Sequence, residues 1–259
     1  MRIADYKTTK EFILAAEVPT KTRTYKPVSH QQLIDLTLNS IEKSGFTLDK
    51  ELYSSYNEGR VANGRYTISN VADTEMQLQI GWQNSYDKTA SLKFAIGTQI
   101  LVCANGCVSG DYGAFRKKHM GSVEEFTPTA ITEYIKQAGD AFQKMQQERD
   151  VMRQREINLR TSAELIGRLF IEEQAINTMQ VNIIRGEMDN PSFDYGCPGS
   201  MWEMYNHVTH ALKQTSPLYS MSAHIKAHSM FVNAAGIMVT PTEIEVPEPG
   251  MLQQLEMQF

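Results

Sequence analysis

The feature that most limits the fold is an alternation of apolar and polar residues between positions 46 and 104. Residues 75–85 read EMQLQIGWQNS and residues 91–100 read SLKFAIGTQI, so apolar side chains recur at every second position. Successive side chains of a β-strand point to opposite faces, and a period of two therefore indicates half-buried strands. We predict about four strands here, arranged as an antiparallel meander.

The dipeptide Asn63-Gly64 interrupts this region, in the stretch VANGRYTISNV. Asn-Gly is favoured in two-residue hairpin turns because both central positions need a positive φ. The dipeptide therefore predicts a tight turn between two of the strands.

Helical periodicity dominates elsewhere. Ser29 is a suitable N-cap for a helix that ends at Gly45, and apolar residues follow helical spacing again beyond Pro128. The chain is predicted to be an α+β protein with an N-terminal helix, an antiparallel meander sheet of about four strands and a helical C-terminal half.

Three segments are predicted along the chain. Residues 1–28 show no clear period and are expected to form an extended arm. Residues 29–236 form a single α+β domain, with the sheet in 46–110 and the helices in 127–236. Residues 237–259 form an acidic, proline-rich tail that we expect to mask a basic groove or to recruit a partner.

One predicted helix is unusually charged, with the sequence QKMQQERDVMRQREINLR over residues 143–160. Few apolar residues interrupt the charges, which favours a solvated or partner-bridging helix over a specific charged site. Together with the acidic tail, this helix leads us to predict a homo-oligomer.

Composition narrows the class and the compartment. The 259 residues are 41% hydrophobic, enough to bury a sizeable core, and no apolar run is long enough to span a bilayer. The first residues lack the apolar segment of a secretory signal. Three cysteines, an odd number, favour reduced thiols over a disulfide framework. We expect a cytoplasmic protein, in a bacterial host, that does not contact a membrane.

Charge is distributed unevenly. The net charge is −5, yet residues 1–120 carry 15 Lys and Arg against 12 Asp and Glu, whereas the remainder carries 10 against 18. The cations culminate in the run Arg116-Lys117-Lys118, which follows a glycine-rich stretch. An acidic chain with a basic first half is compatible with a local surface that binds a polyanion.

These cations suggest a nucleic-acid interface. Aromatic residues are interleaved with them, and single-stranded nucleic acid is bound by cations that follow phosphates and rings that stack on bases. The predicted phosphate-binding residues are Arg60, Arg65, Lys88, Lys93, Arg116, Lys117 and Lys118, with the last three on an exposed loop; the aromatic residues are Tyr53, Tyr56, Tyr66, Trp82 and Tyr86. Alternatively, the rings lie in the core and the basic run is a solvated loop.

Metal and catalytic patterns are weak. Cys103 and Cys107 combine with His119, His207 and His210 only across long separations, so we predict no metal and no cofactor. No nucleophile elbow, phosphate-binding glycine loop or zinc-protease motif is present, and we assign no catalytic residue. An enzyme based on a thiolate pair of Cys107 and His119 remains an alternative.

Five residues are predicted to structure loops. Asn84, Ser85 and Asp87 form a turn-like Asn-Ser-x-Asp sequence, and Asn105 precedes a glycine. Such side chains hydrogen-bond their own backbone and stabilise turns. We expect His119 to pack back and hold the basic loop instead of contacting a ligand.

Two motifs together resemble a family of phage- and plasmid-borne proteins filed as domain of unknown function 932. The matching residues are Asn84, Ser85 and Asp87, then Gly97, then Val102, Cys103, Asn105 and Gly106, then Arg116, Lys117, Lys118 and His119, and finally Tyr205, Asn206 and Thr209 in a later helix. His210 departs from the pattern, where an acid is expected. The resemblance spans about residues 28–235 and implies a mobile-element or bacteriophage protein without a settled activity.

The preferred hypothesis is a phage or plasmid protein that binds nucleic acid, in particular single-stranded DNA, as a binding or annealing factor. The alternative is a counter-defence or host-takeover protein that acts by binding a host protein. The enzyme of Cys107 and His119 is a second alternative.

Overall fold

The computed structural model describes residues 6–23, 25–102, 106–108, 115–117 and 128–237. Within these ranges the protein is a mixed α+β fold, as predicted. The strands are β1 (Lys7–Thr8), β2 (Leu48–Tyr56), β3 (Val61–Ala72), β4 (Met76–Ser85), β5 (Leu92–Ile100), β6 (Gly106–Val108) and β7 (Phe115–Lys117). The helices are α1 (Lys10–Leu14), α2 (His30–Lys43), α3 (Pro128–Lys136), α4 (Ala138–Gln154), α5 (Leu159–Ile171), α6 (Thr178–Asp189), α7 (Met201–Leu212) and α8 (Pro217–Ala234).

All seven strands belong to one antiparallel sheet with the order β1-β2-β3-β4-β5-β6, and β7 pairs with the other half of the same β5 edge. The predicted meander corresponds to β2–β5. The estimate of about four strands was too low because β1, β6 and β7 are two or three residues long and too short to show a period.

The predicted turn at Asn63-Gly64 is wrong. Both residues lie inside β3, where Gly64 pairs with Tyr53 on one side and Trp82 on the other. The β2–β3 connection falls earlier, at residues 57–59, which all have positive φ values. Gly64 is required for another reason, because a Cβ atom there would lie 2.5 Å from the Trp82 ring.

Two predicted loop or arm segments contain regular structure. The arm 1–28 holds β1 and α1, and α1 is capped by Thr9 and buries Ile13. Arg116 and Lys117 lie in β7, opposite Lys93 and Leu92, so the loop prediction is wrong for their backbone. Strand β6 pairs only with residues 97–99 of β5, and β7 pairs with residues 92–94 on the same edge. Lys118 and the tail beyond residue 237 lie outside the described residues.

The two faces of the sheet differ in chemistry. One face carries the apolar residues of β3, β4 and β5, including Tyr66, Trp82 and Phe94, which join the buried core beneath α2, α3 and α4. Helix α8 crosses the opposite face and contacts β2, β3, β4 and β6. Burial of the apolar face supplies most of the hydrophobic stabilisation of the sheet.

Most of the charged stretch forms α4, and the prediction that it is solvated holds for one face of the helix only. Its Phe142, Met145 and Met152 are buried, and it packs on β4, β5 and α7. Two of its cations pair with the β3–β4 turn, Arg149 with Asp73 and Arg153 with Glu75. Because these partners belong to the same chain, α4 gives no reason to expect self-association.

Among the helices of the described ranges, none is both long and apolar enough to cross a membrane.

Candidate anion-binding cavity

The face of the sheet beneath α8 is polar, and we call it the polar face. Residues opposite one another in antiparallel strands share a face, and the register therefore identifies its members. They are Lys50, Leu52 and Ser54 of β2, Asn63, Arg65 and Thr67 of β3, Gln77, Gln79, Gly81 and Gln83 of β4, and Lys93, Ala95, Gly97 and Gln99 of β5. Of these residues only Leu52 and Ala95 have an apolar side chain, and the same register adds Tyr56 and Val61 at the end of the face. The centre of the face is therefore polar and does not form a second core.

Small residues at the centre of the polar face leave space beneath α8. Gly81 lies opposite Ala95, and Gly97 lies opposite Gln79. The resulting cavity has a volume of about 1080 Å³ and is lined by β1, β2, the centre of the polar face, the α7–α8 connection and the first two turns of α8. Its volume is at the upper end of the range of ligand sites, about 300–1,000 Å³.

Arg65 projects from the centre of the polar face into this cavity. Its side chain is reached by solvent there, yet the surrounding protein desolvates it and lowers the pKa of its guanidinium. The group stays charged at neutral pH because arginine ordinarily titrates above 12. Within the described part of the chain, no carboxylate or hydrogen-bond acceptor pairs with it, so its charge is open to a ligand in the cavity.

His224 of α8 lines the same cavity. It is only 7% exposed, and its Nδ1 is buried without a hydrogen-bond partner. Burial, and then the nearby charge of Arg65, lower its pKa to about 3, so the ring is neutral at pH 7. Two nitrogen-bearing side chains that lack anionic partners therefore face one cavity.

A network of amides lies beside Arg65. Gln79 Nε2 donates to Thr67 Oγ1 at 3.1 Å and to Gln99 Oε1 at 2.8 Å. These bonds fix the two glutamine side chains with their carbonyl and amino ends defined. Gln99 Nε2, by contrast, donates to no described protein group, and it is available to an acceptor in the cavity.

The roof of the cavity is held by the neighbouring row of the polar face. Asn63 Nδ2 donates to the Pro217 carbonyl at 3.0 Å, and Gln83 Nε2 donates to the carbonyls of Pro217 and Leu218 at 2.5 and 2.8 Å. Lys93 Nζ donates to Ser222 Oγ at 2.6 Å. Proline suits the start of α8 because the first-turn N–H that it lacks has no partner within a helix.

The described lining of the cavity is predominantly cationic. Its charged side chains are Lys7, Lys10, Lys50, Arg65 and Lys213 against the carboxylates Glu11 and Glu51. Glu51 lies 3.7 Å from Lys10 Nζ and accepts from the Tyr53 hydroxyl, and Glu11 lies in the first turn of α1. Neither acid compensates Arg65, so the potential at the centre of the cavity is positive.

Of the predicted cations, Arg65 alone belongs to the described lining of this cavity. Lys93 shares the polar face with Arg65, and Arg116 takes the register position opposite Lys93. The other predicted residues lie at the end of the sheet. Arg60 is in the β2–β3 turn, and Lys88 is in the β4–β5 turn, 4.5 Å over the ring of Tyr25.

The aromatic residues do not form a stacking surface. Tyr53, Tyr66, Trp82 and Tyr86 are buried, which confirms the alternative that they belong to the core. Of the five, Tyr56 alone is exposed, at 48%. Any ligand of the polar face is therefore held by charge and hydrogen bonds and not by these rings.

The turn after β4 is organised by its polar residues. Asp87 Oδ1 accepts from Ser85 Oγ, Thr89 N and Thr89 Oγ1, at 2.7, 3.1 and 2.5 Å. Asn84 Nδ2 donates to the Val28 carbonyl at 2.9 Å and meets His30 Nδ1 at 3.1 Å. These contacts join the turn to the N-terminus of α2. Asn105 and His119 lie outside the described residues.

Replacing Asp87 with asparagine should lower the free energy of unfolding at pH 7 by about 1 kcal/mol, after a discount for solvent screening. Burial raises the pKa of Asp87, but hydrogen bonds from Thr89, Ser85 and Asn57 outweigh it and lower the pKa to about 2. A lowered pKa stabilises the fold above about pH 4, and this contribution is lost as the pH falls toward 2. Urea unfolding at pH 7 and pH 3 checks this.

The exposed Asp35 of α2 supplies the control for that measurement, and Asp35→Asn should change little at either pH. An Asp87→Asn effect of equal size at both pH values would contradict the proposed role of the carboxylate.

The histidine pair of α7 does not gather ligands for a metal. His207 Nδ1 and His210 Nε2 lie 3.9 and 3.7 Å from the two oxygens of Glu187. No group of three or more metal-ligating side chains with suitable geometry occurs in the described ranges. Cys103 and His119 fall outside them.

The sequence matches one known protein family over most of its length. The model of a family described as Domain of unknown function (DUF932) matches residues 19–232, most of the chain. The chain belongs to the DUF932 family. No curated protein and no solved structure matches it. The matched part of this DUF932 protein includes the whole polar face and all but the last two residues of α8, but not β1 and α1.

Sequence reasoning missed several residues of the cavity, notably Lys50, Gln79, Gln99 and His224. The glutamines and glycines that alternate through β4 and β5 carried a usable signal, because they mark a polar face in strands whose other face is apolar. His224 carried none, since its role depends on where α8 crosses the sheet.

Proposed function

We propose that this DUF932 protein binds single-stranded nucleic acid through the phosphates of the strand. The observation that carries the proposal is Arg65, a solvent-accessible cation in the lining of a large cavity with no acidic partner among the described residues. Such a cation gains most from an anionic ligand, because the ligand supplies the charge that the protein does not.

The size of the cavity favours a single strand. A volume of 1080 Å³ corresponds to a cube about 10 Å on a side, whereas the major groove of B-DNA alone is about 12 Å wide. A few nucleotides of a single strand fit beneath α8, but a duplex does not. Lys50 and Lys93 then lie on either side of Arg65 along the same face.

The burial of the aromatic residues determines the kind of binding. Without stacking on these rings, the strand is held by phosphate contacts, which carry no sequence information. Binding is therefore independent of sequence and strongly dependent on salt. In the same proposal, the protein is a phage or plasmid factor for binding or annealing single strands in the cytoplasm.

Fluorescence anisotropy of a labelled thymidine oligonucleotide, titrated at several salt concentrations, tests the proposal. Arg65→Gln should weaken binding and flatten the plot of log K against log salt by about one unit, the effect of one lost phosphate contact. Replacing Arg116, Lys117 and Lys118 together by alanine should weaken binding to every sequence alike.

Arg168→Gln is the matched control, because Arg168 is an exposed cation of α5, 3.1 Å from Glu172 and away from the cavity lining. It should leave affinity and salt slope unchanged. If the unmodified protein binds no oligonucleotide even at low salt, the proposal is wrong, and binding to a host protein becomes the better hypothesis.

A further inference from the structure

The part of the cavity around Arg65 and His224 has the features of a site for one phosphate group. Arg65 supplies a fixed positive charge, and Gln99 Nε2 supplies a hydrogen-bond donor that no described protein group uses. His224 supplies a ring whose Nδ1 is buried and has no partner. These groups come from β3, β5 and α8, so the fold, and not a local sequence motif, assembles them.

Gly81 of β4 lies opposite Arg65 of β3, and its lack of a side chain provides the space for the phosphate. A Cβ atom at Gly81 would lie 3.5 Å from the Gly64 carbonyl oxygen and 3.8 Å from both Arg65 Cγ and Met221 Cε. These are ordinary contact distances, so the position tolerates a side chain sterically. The absence of one leaves room between the guanidinium and α8.

The charge of the site distinguishes two kinds of phosphate. A phosphodiester carries one negative charge, which Arg65 alone neutralises. A phosphomonoester carries about −1.5 to −2 at pH 7, and the second charge needs a further donor or proton. His224, neutral in the free protein and next to Arg65, is placed to donate to it or to take up a proton as the anion binds.

We propose that Arg65, His224 and Gln99 form a pocket for a phosphomonoester, which in the strand-binding protein is the terminal phosphate of the nucleic acid. This inference deepens the proposed function and rests on it for the identity of the ligand. The remaining cations of the polar face, Lys50 and Lys93, follow the chain of phosphodiesters that leads away from that end.

The test compares oligonucleotides of one sequence that carry a 5′-phosphate, a 3′-phosphate or no terminal phosphate, in the full-length protein. A terminal phosphate at one of the two ends should tighten binding about tenfold, as one strong charge-assisted contact does. Calorimetric titration with thymidine monophosphate, with thymidine as the control, measures the same pocket without a strand.

Four variants test whether the preference arises from the pocket. Arg65→Gln and His224→Gln should each abolish the preference for the phosphorylated end. Lys93→Gln should weaken the binding of phosphorylated and unphosphorylated oligonucleotides equally, and the preference should remain. Gly81→Val fills the space without removing a charge and should also abolish the preference. Thermal unfolding of each variant verifies that the fold is retained.

The outcomes separate the two proposals. Equal affinity for phosphorylated and unphosphorylated strands overturns the pocket and leaves strand binding in place. Binding of thymidine monophosphate without binding of any oligonucleotide supports the pocket and overturns the strand-binding function. If the protein binds neither thymidine monophosphate nor any oligonucleotide, both the pocket and the strand-binding function are overturned.

Discussion

Replacing Gly64 with alanine should lower the free energy of unfolding by about 3 kcal/mol, the upper part of the range for overpacked cores. The added Cβ would lie 2.5, 2.6 and 2.8 Å from three atoms of the Trp82 ring. That ring is fully buried and donates from Nε1 to the Tyr66 hydroxyl at 3.0 Å. It cannot move aside without breaking this bond and displacing the core beneath α2.

Gly167→Ala is the matched control, because Gly167 lies inside α5 and a Cβ there would meet nothing within 4 Å. Alanine in a helix interior should stabilise the protein by about 0.5–1 kcal/mol. Urea unfolding of the two variants and the parent protein gives both values. A Gly64→Ala variant as stable as the parent would show that the close packing of Trp82 against β3 is not a feature of the folded protein.

Gly64 also shows where sequence reasoning succeeds and where it fails. The alternation in β4 and β5 and the N-caps Ser29 and Ser200 could be predicted because each depends on residues adjacent in sequence. The role of Gly64 depends on Trp82, on the neighbouring strand. A local rule for Asn-Gly dipeptides therefore assigned it to a turn.

The candidate site was only partly predictable for the same reason. Arg65 and Lys93 were identified as cations of the sheet, but the sequence does not show which cations have acidic partners. Arg149 pairs with Asp73, whereas Arg65 pairs with no described carboxylate. The difference arises because the β3–β4 turn meets α4 and the polar face meets α8, and these contacts are set by the tertiary fold.

A second large effect is expected at a buried pair that joins three helices. Glu148 of α4 and His228 of α8 are each 2% exposed, and Glu148 Oε2 lies 3.1 Å from His228 Nε2. His228 Nδ1 lies 3.1 Å from the Tyr205 hydroxyl of α7. Lys144 also lies near the carboxylate, with its Nζ 3.9 Å from Glu148 Oε1.

His228→Leu should lower the free energy of unfolding by about 1–3 kcal/mol, the cost of leaving a buried polar group without the group that faces it. The leucine removes the group that faces Glu148 Oε2, and only Lys144 stays close to the carboxylate. Glu148→Gln should cost less, about 1 kcal/mol, because an amide oxygen keeps a polar contact with His228. Urea unfolding at pH 7 measures both.

The double variant Glu148→Leu/His228→Leu isolates the cause. Replacing both partners with apolar side chains removes the buried charge together with its partner, and buried pairs replaced in this way often regain much of the lost stability. The double variant should therefore be more stable than His228→Leu alone, which gives a strongly non-additive mutant cycle. Losses that simply add would mean that the two residues contribute by packing separately, and that α4 and α8 are not coupled through this pair.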